Sequence, residues 1–69
     1  MNITELLEGE NAIIDSCNHK QLMEHGFIDN TPVHIYMKLQ SMTCVYIRGT
    51  VIACRNNDLE DISVNYYKE

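Results

Sequence analysis

The sequence predicts a small, mainly β domain: a barrel of about five short strands, with one short helix between the first two. Three observations predict it. Short runs of β-branched and apolar residues recur with alternating polarity, most clearly over residues 33–39 and 45–55. The breaks between these runs carry Gly, Asn or Pro, the residue types that turn a chain back on itself. One stretch, residues 18–26, has instead the capping and stop signals of a helix. Closing several short strands into a barrel also removes the exposed edges that an open sheet would present.

The elements follow in order. Ile3, Leu6 and Leu7 form an apolar patch closed by Glu8-Gly9-Glu10, which reads as one helical turn and a glycine turn. Residues 11–17 read as the first strand, with Ala12 and Ile14 on one face and Ile13 and Asp15 on the other. Asn18 fits a helix N-cap and Gln21 its capping-box partner, for a helix running roughly from His19 to His25 with Met23 in the core. Gly26 then supplies a left-handed ending, and Phe27 folds back on Leu22 as in a Schellman motif. Asp29-Asn30-Thr31-Pro32 is a turn, with Asn30 as its left-handed residue.

Val33, Ile35 and Met37 point inward in the second strand, and His34, Tyr36 and Lys38 outward. Residues 40–42 form a loop without glycine or proline. Val45 and Ile47 share one face of the next strand, and Tyr46 and Arg48 the other. The Arg48-Gly49-Thr50 break makes a tight hairpin to a strand with Ile52 and Cys54 on one face and Val51, Ala53 and Arg55 on the other. A polar turn anchored by Leu59 leads to a last strand with Ile62 and Val64 inward, and residues 66–69 read as a fraying tail. Periodicity does not separate an SH3-like from an OB-like barrel.

Composition bounds the function. The chain reads as one domain, residues 1–69, with ten carboxylates against five cations and a formal charge of −5. The cations do not cluster, so the basic stripe needed for nucleic acid is missing. No apolar run approaches the ~18 residues of a membrane span, and the start lacks the basic-then-apolar pattern of a signal peptide. A cytoplasmic protein that does not insert in membranes is expected. Cys17, Cys44 and Cys54 form no C-x-x-C pair and read as buried thiols.

The search for chemistry is correspondingly short. There is no glycine-rich phosphate loop and no serine-nucleophile signature, and Cys17 and His19 lack an orienting third group; no enzyme is expected. Cys17, His19 and His25 are the weak metal candidates. His19 and His25 are six apart, about 120° off each other on a helix, so local geometry does not join them. The expectation is no required cofactor and at most weak transition-metal binding. What remains is a surface: Tyr36, Tyr46 and His34 on the outward strand faces, with Met42 in the neighbouring loop, form the candidate protein-contact set.

Taken in order, Leu6-Leu7-Glu8-Gly9-Glu10, Ala12-Ile13-Ile14, Leu22-Met23-Glu24-His25-Gly26-Phe27, Asn30-Thr31-Pro32-Val33 and the hairpin Ile47-Arg48-Gly49-Thr50-Val51-Ile52-Ala53-Cys54-Arg55 resemble the FeoA family. Its members are small bacterial proteins that accompany a ferrous-iron transporter. The resemblance spans essentially the whole chain and implies an SH3-like barrel. It also implies an accessory role in ferrous-iron uptake through contact with the cytosolic part of a membrane GTPase transporter. Two other readings accompany it: an iron-binding carrier, and a detached SH3-like sensor domain of a metal-dependent repressor. The chain departs from the family pattern at Asn30, where glycine is usual, at His25, where leucine is common, at Cys54, which replaces an aliphatic residue, and in the loop at 40–42.

Overall fold

A computed structural model describes residues 1–66 of the chain. They form β1 (Asn11–Cys17), α1 (Lys20–Glu24), β2 (Pro32–Lys38), β3 (Met42–Ile47), β4 (Thr50–Arg55), α2 (Asn56–Leu59) and β5 (Ile62–Tyr66), preceded by a 3₁₀ turn at Ile3–Glu5. The strands make one antiparallel sheet in the order β4-β3-β2-β1-β5. The mainly β, five-stranded class is as predicted, and the fold is of the small SH3-like kind. The ladder itself is open, with β4 and β5 as its edges. No ladder joins those two edges among the described residues; α2 leads from one to the other and packs on β4 and on the 3₁₀ turn.

Alternation sets the register. Ala12, Ile14, Val33, Ile35, Val45, Ile47, Ile62 and Val64 are all buried, in one cluster with Ile3, Leu6, Leu22, Phe27 and Leu59. Burying each such large side chain is worth about 1.5–3 kcal/mol, so a one-residue slip of any strand would forfeit several of these terms at once. Leu7, beside the buried Leu6, is 66% exposed and takes no part in the core.

The helix begins one residue later than its capping signal suggests. His19, not Asn18, is the N-cap of α1: its Nδ1 accepts from the Leu22 N–H at 3.3 Å. Asn18 instead extends the strand connection by donating its N–H to the Asp61 carbonyl. An imidazole can cap in place of the short amide because the N–H of Leu22 lies three residues on, within reach of the ring. Met23 faces solvent, and Leu22 alone of α1 is buried. The helix ends as expected. Gly26 has φ +104°, its N–H donates to Met23 O, and the Phe27 N–H reaches back to Leu22 O, which is the Schellman pattern. Asn30 is left-handed, at φ +67°.

A second correction lies in β2. Its register shifts between Ile35 and Met37, so the inward alternation stops at Ile35. Met37 therefore turns outward. Lys38 turns inward, and its Nζ donates to the carbonyls of Thr4 at 3.0 Å and Leu6 at 2.8 Å. A similar shift between Ile14 and Ser16 brings Cys17 to the buried face of β1. Met42 belongs to β3 rather than to the preceding loop, and Tyr66 to β5 rather than to a tail. The rest of the expected tail, residues 67–69, lies outside the described residues.

The β3–β4 hairpin is tight. Ile47 and Thr50 pair across it, and both turn residues have positive φ, Arg48 at +52° and Gly49 at +84°. This is the signature of a type I′ turn, whose twist matches that of the strands it joins.

Candidate functional site

Four strands contribute one outward row. Asn11 lies opposite His34, His34 opposite Tyr46, and Tyr46 opposite Val51. Directly paired residues share a face of the sheet with Cβ atoms about 4.5–5.5 Å apart, so these four side chains form a continuous band. Tyr46 and Val51 are 46% and 45% exposed. His34 is held within the band by a 2.9 Å hydrogen bond to Asn11 Oδ1. With that oxygen as acceptor, Nδ1 carries the proton. Tyr36, at the register shift of β2, adds 57% of its surface beside the band.

The end of the band opens into a shallow depression lined by Pro32, Val33, His34, Tyr46 and Arg48. Its lining is predominantly apolar and contains no carboxylate. The predicted contact residues His34 and Tyr46 are thus brought together, with Tyr36 adjacent.

Met42 is not part of this group. It lines a second depression, between α1 and the β4 edge, with His19, His25, Cys54 and Asp58. The fold therefore brings His19 and His25 to one cleft although they sit at opposite ends of α1, as N-cap and C-cap. Cys17 stays apart: its Sγ faces the backbone carbonyl of His19 at 3.7 Å and does not line the cleft. Among the described residues, no three His, Cys, Asp or Glu side chains gather in a way that could hold a metal ion.

Three polar groups of this second cleft meet at Asp58. His19 Nε2 lies 3.3 Å from Asp58 Oδ1, and Arg55 Nε lies 3.3 Å from Asp58 Oδ2. Since His19 Nδ1 accepts from Leu22, its Nε2 is the nitrogen that donates to Asp58. Asp58 thus ties α2 to the start of α1. Thr43, buried in β3, donates to Asn56 Oδ1 at 2.8 Å, a further tie to α2. Burial, and then the nearby Asp58 and Cys44, push the Cys54 thiol up to about 11, so it stays protonated near neutral pH. Cys54 was legible as a strand residue. The approach of Asp58 was not, because it depends on how α2 returns across the sheet.

The model of the FeoA domain matches residues 1–66. The chain belongs to the FeoA family. The solution NMR structure of the FeoA protein from Chlorobium tepidum superposes with a TM-score of 0.89 at 21% identity, over 99% of this chain and 71% of that one. At that identity the likeness concerns the fold. No curated protein matches the sequence.

Within FeoA terms, the described residues contain no helix long and apolar enough to cross a membrane.

Proposed function

We propose that the chain is a cytoplasmic accessory protein of ferrous-iron uptake. It binds the cytosolic part of the membrane GTPase transporter through the outward face of β2 and β3. Membership of the FeoA family supports the association with ferrous-iron transport. The observation that carries the contact surface is the band His34–Tyr46–Val51 with Tyr36 beside it: three large exposed side chains, Tyr36, Tyr46 and Val51, around a half-buried histidine on paired strands. Tyrosines of this kind supply contact area at little entropic cost and leave a polar tip for the rim of an interface.

The role is that of a binding module, without turnover of its own. Its effect on the transporter is exerted by contact, altering the assembly or activity of the GTPase. The test is a binding measurement with the purified cytosolic domain of that transporter. Tyr46→Ala and Tyr36→Ala should each weaken binding by about 1–2 kcal/mol, the scale of an interfacial tyrosine, with folding intact. Parent-like binding by both, together with loss in a variant on another face such as Met42→Ala, would move the interface elsewhere.

A further inference from the structure

Arg48 is an unexpected residue for its position. Type I′ turns favour Asn, Asp or Gly at the first central residue, because its φ is positive; here an arginine occupies it at φ +52°. A side chain placed against the local preference of the backbone suggests a use for that side chain.

The fold also provides its resting place. A Cβ added to Gly26 would lie 2.8 Å from Arg48 Cδ, and 3.6 and 3.7 Å from Nη1 and Nε. The arginine is therefore laid across the bare Cα of Gly26, at the end of α1. Any other residue at 26 would displace it. Arg48 also lines the depression, together with Tyr46 and Pro32.

Among the described residues the ion pairs are those of Asp58 with His19 and Arg55, and Arg48 has no carboxylate partner. Lys38 is engaged by two carbonyls. In a chain of net charge −5, the depression thus has a cation at its rim and no acid in its lining. A single guanidinium beside an aromatic ring suits one carboxylate with an apolar neighbour. It suits a multiply charged phosphate poorly, since no second cation lines the depression and the chain as a whole repels dense negative charge.

We propose that the Arg48 depression receives an acidic side chain from the partner's contact segment. The guanidinium pairs with the carboxylate, and Tyr46 and Pro32 take the apolar residue next to it. This rests on the reading of the β2–β3 face as a protein-contact surface and names the chemistry of the segment that meets it.

The test uses the full chain, ¹⁵N-labelled, titrated separately with the blocked peptides Ac-Phe-Asp-Phe-NH₂ and Ac-Phe-Asn-Phe-NH₂ and with inorganic phosphate. The expected result is a preference for the Asp peptide of about five-fold, the upper scale of one exposed ion pair, with shifts centred on Thr31, Tyr46 and Arg48. Arg48→Asn places a favoured residue in the turn, so it should melt no lower than the parent yet bind both peptides alike. Arg48→Gln, which keeps a long stem over Gly26, should lose the preference too. Equal binding of the two peptides by the parent, or a preference that survives either substitution, would overturn the proposal. So would phosphate binding at Arg48 as tight as that of the Asp peptide. A large drop in the melting temperature of Arg48→Asn would make Arg48 a brace for the turn instead.

A parallel arm uses the transporter's cytosolic domain. If the domain binds the parent and Arg48→Asn equally, the contact surface stands and the acidic anchor fails. If the domain does not bind while the Asp preference persists and depends on Arg48, the anchor stands and the partner assignment fails.

Discussion

The two depressions of this small sheet each hold histidine and arginine, yet those groups are used in different ways. In the cleft between α1 and β4, His19, Arg55 and Asp58 bond to one another, and His19 also caps the helix. In the depression beside the β3–β4 turn, Arg48 has no ionic partner among the described residues, and Tyr46 stands half exposed next to it. The cleft spends its polar groups on holding α1 and α2 to the sheet. The turn-side face ties His34 to Asn11 and leaves Arg48 without an ionic partner among the described residues. Histidines alone therefore do not mark function here: His19 is part of the scaffold, while His34 belongs to the exposed band. What distinguishes them is that His19 is engaged through both ring nitrogens, by Leu22 and Asp58, and His34 through Nδ1, by Asn11.

The comparison can be broken first where it is strongest. Leu22 is the buried residue of α1 and the apolar floor of the scaffold cleft. Leu22→Ala should cost about 2–4 kcal/mol, a large share of the stability of so small a domain. Chemical denaturation measures it. A loss under about 1 kcal/mol would mean that α1 is not held by its packing.

Much of this contrast lay beyond reach of the sequence, for identifiable reasons. Local rules worked where one residue fixes one backbone angle: Gly26 and Asn30 have the positive φ their positions suggested. Alternation worked along unbroken strands, and so Tyr46 was legible as an outward residue; Tyr36, just before the β2 shift took effect, was too. It failed from Met37 on, because a shifted register reverses inward and outward without any warning in the residue types, which exposed Met37 and drew Lys38 in. The cap at His19 was missed because Asn18, next to it, is the better capping residue on intrinsic preference, while the strand connection claims its N–H. The junction of His19 with Asp58 joins residues far apart in the chain, and no local pattern encodes it.

A smaller effect sharpens the contrast through pH. The folded chain holds the Cys54 proton more tightly than the unfolded chain does, about 11 against an ordinary value of 9.0. The contribution of this thiol to stability is then fully present below about pH 9 and is lost as the pH rises toward 11. Melting temperatures from pH 8 to 11 should fall more steeply for the parent than for Cys54→Ala. Identical slopes would place Cys54 in a more solvated setting than the cleft provides.

The central claim is a division of labour between scaffold cleft and contact face, and one paired measurement tests it most directly. Stability and binding to the transporter's cytosolic domain are measured on the same two variants, Asp58→Asn and Tyr46→Ala. Asp58→Asn removes the partner of both His19 and Arg55. It should cost up to about 1 kcal/mol of stability, as partly exposed pairs do, with binding unchanged. Tyr46→Ala should leave stability nearly unchanged and weaken binding by about ten-fold. The reverse pattern, with Asp58→Asn weakening binding and Tyr46→Ala affecting stability alone, would place the contact surface at the α1–β4 cleft and contradict the account.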